Sequence, residues 1–312
     1  MNNNRKATVW GMALSVAVMA WQPAHAMDYL GAGSETQGDV VFFTGSFYPL
    51  VSYDKPETDR GPGTKAGWHL PGRSYRSASG WWALVCNAGE KQTSRHKGCK
   101  LYDTRLTVTP ARHGVYDSEP VKSQLLYWSP LPFKLDKMPQ EDEKRPDLIA
   151  VFKPVRSLAN LTLSAGPLTT YLHRGMGSYP TAQRPGTLEV RIATGKGLPL
   201  DIVPRVLSAT SSSEESKVKP GDIATLELRM GKLRQRLPGY IFSALDSTGQ
   251  LHQTDYLLWA GDLDGDGRAD LILNHSEEPV HAALYLSSLA KEGELVGLAG
   301  SLQYTDPSSA GC

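Results

Sequence analysis

Long apolar runs are missing from most of this chain. After residue 26 no stretch is apolar and uncharged enough for a membrane-spanning helix, which takes about 20 such residues. Apolar residues nowhere recur with a 3.6-residue period over several turns, so an all-helical fold is set aside. Charge of one sign is also lacking. Without Arg5 and Lys6, 31 basic residues face 32 acidic ones, a net charge of −1. A global field that would draw nucleic acid is therefore absent, and the charges are mixed rather than blocked. The local signatures of common catalytic chemistry are missing too. The sequence holds no G-x-S-x-G, no H-E-x-x-H, no P-loop and no G-x-G-x-x-G.

What is present begins with a targeting segment. Arg5 and Lys6 precede the apolar stretch 10–21 (WGMALSVAVMAW), and Ala24-His25-Ala26 has the small-x-small form of a cleavage site. The reading is a signal peptide over 1–26, a mature chain from Met27, and export to the periplasm or the exterior without an integral membrane anchor. Cysteine is scarce, three in 312 residues. Cys86 and Cys99 flank the polar segment NAGEKQTSRHKG, and an oxidising compartment favours a disulfide between them. Cys312 is the odd one out: free, paired between chains, or exchanging with the first pair.

Short runs of β-branched and aromatic residues recur, separated by turn formers. With 30 Gly and 21 Pro, this predicts an all-β fold of antiparallel sandwich or barrel-like sheets. Strands are expected at 39–44, 80–86, 100–109, 124–128, 148–153, 158–163, 168–172, 187–193, 222–229, 239–245, 254–259, 270–274, 281–287 and 300–305. Residues 54–79 read as a long loop, and 246–250 as a hairpin turn. A proline-rich, charged segment at 129–147 is a domain boundary or a solvated loop tip. Taken as a boundary, it divides the chain into β domains 27–146 and 147–312.

One stretch demands particular chemistry. Asp262, Asp264 and Asp266 alternate, Gly267 follows, and Asp270 opens the apolar run Leu271-Ile272-Leu273. Carboxylates this dense repel one another unless a cation or water separates them. Calcium, which takes six to eight oxygens in a flexible shell, suits them better than magnesium. An EF-hand would place a bidentate Glu where Leu273 stands, and would flank the loop with helices. Both features are missing here.

The pattern D-x-D-x-D-G-x-x-D-L between strands resembles the loops of FG-GAP and VCBS-type repeats. The resemblance covers Asp262 to Leu273 and implies a calcium site. Asp262, Asp264, Asp266 and Asp270 would give side-chain oxygens, and Arg268 its backbone carbonyl. Those families carry several copies of the loop where this chain has one, so a full propeller is not expected.

Other constellations point less far. His275 and His281 are six apart across Pro279, a poor spacing for zinc or a catalytic dyad, and are expected at the solvent-exposed surface. Trp68, Trp81, Trp82 and Trp128 read as core residues, with a carbohydrate platform as the rival. The expectation is an exported, calcium-stabilised, non-enzymatic β protein acting in binding or envelope structure, with a protein or carbohydrate ligand. The alternatives are a secreted hydrolase with a structural calcium ion, or a carbohydrate-binding module.

Overall fold

The computed structural model describes residues 34–38, 40–44, 68–71, 76–87, 98–111, 123–131, 146–154, 162–176, 178–184, 187–194, 197–206, 223–237, 252–276 and 280–304. In chain order the strands are β1 (Ser34–Gly38), β2 (Val40–Thr44), β3 (Trp68–Pro71), β4 (Ala78–Asn87), β5 (Cys99–Ala111) and β6 (Ser123–Ser129). They continue as β7 (Pro146–Pro154), β8 (Gly166–Pro167), β9 (Thr169–His173), β10 (Val190–Ile192), β11 (Leu200–Val206) and β12 (Ile223–Met230). After β13 (Leu233–Leu237) come a four-residue helix, α1 (Gln253–Tyr256), and β14 (Leu257–Asp262), β15 (Asp270–Ser276), β16 (Val280–Leu286) and β17 (Gly297–Tyr304). No helix among the described residues is long and apolar enough to cross a membrane.

The strands form three antiparallel sheets, none closed into a barrel. A central sheet has the order β1-β17-β16-β15-β14-β9. A second runs β2-β7-β4-β5-β6-β3 with β8 beside β5, and a third runs β10-β11-β12-β13. At β14, β15 and β16 the central sheet is buried on both faces, as its side chains there show. Ile272 pairs with Leu284, and both pack with Trp81, Leu84 and Phe152 of the second sheet. Their neighbours Leu271, Leu273, Ala283 and Tyr285 point the other way, onto Ile192, Ile202, Leu226 and Leu228 of the third. The result is a three-layer sandwich. Continuous apolar runs such as Leu271-Ile272-Leu273 are what strands between two layers require, whereas a half-exposed strand alternates. In β5, Asp103, Arg105 and Thr107 are exposed while Thr104 and Leu106 are buried, the alternating case.

The chain passes from the central to the second sheet across a single residue, between β1, which pairs with β17, and β2, which pairs with β7. Gly300 of β17 makes this crossing possible. A Cβ there would lie 2.3 Å from the Val40 carbonyl oxygen. The division at 146/147 falls at the start of β7, which is hydrogen-bonded between β2 and β4. The second sheet thus takes strands from both sides of that point.

Several segments differ from the sequence expectation. Residues 253–256 are helical, so the run 254–259 is a strand only from Leu257. The Asp255 carboxylate accepts the His252 N–H at 2.7 Å, and a helical turn starts there instead. Residues 162 and 163 lie in no regular element, and β3 falls inside the expected loop 54–79. Strands β1, β8, β11 and β13 add to those expected. The stretch 239–245, the hairpin 246–250, residues 1–26 and Cys312 lie outside the described residues.

Cys86 and Cys99 are directly opposite in the β4–β5 register and form a disulfide, both buried. Replacing both with Ala is expected to cost about 3 kcal/mol through loop-closure entropy in the unfolded chain. Urea midpoints of the native and double-variant proteins check this, and equal midpoints would refute it.

Candidate metal centre

The acidic loop connects β14 to β15, two neighbours in the middle of the central sheet. Its ends are fixed by deeply buried strands, so the loop starts and finishes at defined points. Gly265 and Gly267 have φ of 80° and 82°, the left-handed region that side chains rarely enter. These two turns fold the loop back on itself. Asp262 accepts the N–H of Gly265 at 2.8 Å through one oxygen and that of Gly267 at 3.0 Å through the other.

Three carboxylates converge. Asp262, Asp264 and Asp270 each bring an oxygen within 4.8 Å of the others. Asp270 is fully buried and Asp264 nearly so, while Asp262 is partly exposed. Asp266 stands outside this group. One of its oxygens takes the Arg268 side chain, from Nε at 2.9 Å and Nη2 at 2.8 Å, and the other takes the Arg268 N–H at 2.8 Å.

A second segment completes the surroundings. A 3-10 turn at Ser287–Leu289 follows β16 and meets the loop from the side. The Ser287 N–H donates to Asp270 Oδ1 at 2.7 Å, and the Leu263 N–H to Asp270 Oδ2 at 2.7 Å. The Ser287 hydroxyl lies 2.9 Å from Asp266 and 3.0 Å from Asp270, and its single proton serves one at a time. The Ser288 hydroxyl donates to Asp264. Sequence reasoning did not find this serine pair. Two serines after an apolar strand carry no signal, and the 17 residues from Asp270 to Ser287 are bridged only by the β15–β16 hairpin.

The electrostatics follow from this packing. Burial, then the Asp264 carboxylate, push the Asp270 carboxyl up to about 7, against the N–H groups of Ser287 and Leu263 and the Ser287 hydroxyl. Asp262 is also raised, chiefly by burial, despite its two backbone N–H donors. For Asp266 burial acts upward, but the Arg268 N–H, the Ser287 hydroxyl and the Arg268 guanidinium together outweigh it and hold the group below its ordinary value. So the loop combines one carboxyl that resists ionisation with another that is held ionised.

The other candidates resolve differently. His275, expected to be exposed, is buried at 4 %. Its Nε2 lies 3.4 Å from the Tyr285 hydroxyl, and the two rings are nearly parallel. Residue 275 follows the apolar run of β15 and shares its burial between layers. The side chains of His281 and Trp68 lie outside those described. Trp81 and Trp128 are buried against each other at 5.7 Å and 71°, and Trp82 is partly buried. Trp81 and Trp128 are thus core residues and offer no sugar platform. His173 approaches Cys86 and Cys99, but sulfurs joined in a disulfide are not thiolate ligands.

In comparisons with known proteins, no family model, no curated protein and no solved structure matches this chain.

Proposed function

We propose that the β14–β15 loop binds calcium, and that the chain is an exported β protein, stabilised by this ion, acting in binding or envelope structure. The observation that carries the metal reading is the convergence of Asp262, Asp264 and Asp270 within 4.8 Å. Two of these are buried, and Asp264 already raises its partner Asp270 electrostatically. A divalent cation would remove that repulsion and supply charge the cluster itself lacks. All of the donors are hard oxygens, the set calcium prefers. Asp262, Asp264 and Asp270 would hold the ion, with Asp266 and the Arg268 carbonyl joining in the family-like pattern. Ser287 and Ser288 orient the carboxylates from outside. The ion's role would be to fasten β14, β15 and the turn after β16 at one corner of the sandwich. Export is supported by the N-terminal pattern over 1–26 and agrees with a buried disulfide.

Thermal melts in calcium and in chelator test the proposal. A cation that binds only the folded chain adds about 2.7 kcal/mol at 100 times its Kd. The expected result is a melting temperature several degrees higher in calcium, lost in Asp264→Asn. Coincident curves, with no heat on calorimetric titration, would reject calcium binding.

A further inference from the structure

The third sheet ends in a free edge. β13 pairs with β12 on one side, and among the described residues no backbone group pairs with it on the other. The Gln235 side chain ties β13 to the layer below, through the backbone of Leu295 and Val296, and leaves that edge open. β10, the other end strand, is already engaged, its Arg191 N–H donating to the Pro180 carbonyl at 2.8 Å. An open edge presents a row of N–H and C=O groups that a further strand can take up.

Side chains decide which strand. Leu226, Leu228 and Leu237 are buried in the core, so the alternate residues Arg234 and Arg236 stand on the outer face, where both are exposed. Register puts Arg229 directly across from Arg234, and Glu227 across from Arg236. Both Glu227 oxygens are taken, one by Arg205 at 2.8 Å and the other by Arg229. Among the described residues neither Arg234 nor Arg236 meets a carboxylate, and Arg234 turns to the Gly231 and Leu233 carbonyls. With the Arg191–Asp201 pair included, this face sets five arginines against two carboxylates, a surplus of three. Glu294 shares a cavity with Leu233 on the inner side of the strand. Like charges directly opposite, as at Arg229 and Arg234, weaken a ladder, and an anion laid against them would relieve it.

From the open edge and its surplus charge we infer that β13 adds a strand from an acidic polypeptide. The added strand is extended, with carboxylates opposite Arg234 and Arg236 and apolar side chains on the inner face beside Leu233, itself 44 % exposed. Charges on an edge ordinarily deter pairing. Here they share one sign, so they refuse a basic strand, or the β13 of a second copy, and admit an acidic one. The edge favours a polypeptide over other polyanions because it offers main-chain hydrogen bonds. In strand addition these give affinity, and alternate side chains give specificity. Guanidinium groups suit carboxylates in particular, since they can donate two parallel bonds to one. The inference adds a partner to the binding role proposed above and uses none of the loop's carboxylates, so the two fail separately.

Calorimetric titration of the folded mature chain, with no calcium added, against a short blocked peptide of alternating glutamate and valine tests this. Saturable binding at one per chain is expected, with slowed amide hydrogen exchange over 233–237. Arg234→Glu with Arg236→Glu, both exposed, should leave the melting temperature no lower, abolish this binding and admit the matching lysine–valine peptide. Arg236→Ala alone should weaken the acidic peptide about fivefold, the upper end for an exposed ion pair. The acidic peptide N-methylated at alternate residues keeps its charge but loses N–H donors, and should not bind. No binding, equal binding of the N-methylated peptide or of dextran sulfate, or unchanged exchange over 233–237 would each overturn the inference.

Discussion

In chelator, the folded chain is expected to lose stability as pH rises from about 4 to about 7, the opposite of ordinary acid denaturation. The cause is Asp270. Its carboxyl lies at about 7 in the folded chain, against an ordinary 3.8. Between these values the folded state binds a proton that the unfolded state has released, so the unfolded state gains as protons are withdrawn. Below 3.8 both forms are protonated and the term vanishes. Above about 7 both are ionised and the full cost is present, about 4 kcal/mol at 1.36 kcal/mol per pH unit. Asp266, held low, works in the other direction, and its contribution is lost only in acid. The two act in separate windows, and Asp270 governs the neutral one.

Calcium should invert this behaviour. The ion needs ionised carboxylates, so its affinity grows over the same interval in which the metal-free chain weakens. The gap between melts in calcium and in chelator should therefore widen from pH 5 to pH 8. Asp270→Asn supplies the control. It keeps the shape and an acceptor oxygen but cannot ionise, so the fall in its chelator melts across this range should be much smaller than in the native chain, with Asp262, also raised by burial, the remaining source in the loop. A metal-free native chain whose stability rises from pH 5 to pH 8 would contradict the assignment.

The acidic loop could be read from the chain because its ligand spacing is local. Asp262 to Asp270 need only two turns to meet, and both turns are written as glycines. The serines that orient those carboxylates were invisible for the converse reason. Ser287 reaches Asp270 through a hairpin whose pairing no short window contains. The strands show the same division. Leu271-Ile272-Leu273 announces itself by composition. In β11, Pro204 interrupts an interior strand and hides it, since proline gives no N–H to a ladder. In β13, the run LRQRL follows no apolar alternation on its exposed side. In β1, SETQG has no apolar residue at all, and the strand pairs with β17. Burial of His275 was missed because a histidine's surroundings depend on the layers stacked above and below its strand.

That layering makes the second large prediction. Trp259→Ala should cost about 3–5 kcal/mol. Trp259 is fully buried in β14, on the face of the central sheet that meets the second sheet. Its ring lies over Gly261, where a Cβ would come within 2.3 Å of Cζ2. The indole and the glycine are thus one packing unit at the strand's exit into the acidic loop. Truncation would leave a cavity between two layers whose backbone is pinned by ladders on both sides of β14, so collapse is limited. Trp259→Phe separates packing from any polar role. The indole N–H has no hydrogen-bond acceptor among the described residues, so Phe should forfeit far less than Ala. Leu298→Ala, at a site 45 % exposed, should change little, within about 0.5 kcal/mol for a surface substitution. Urea midpoints would place Trp259→Ala lowest, Trp259→Phe next and Leu298→Ala near native. Should Trp259→Ala cost less than about 1 kcal/mol, the face that carries it would have to be open to solvent, and a central sheet buried on both sides would be untenable.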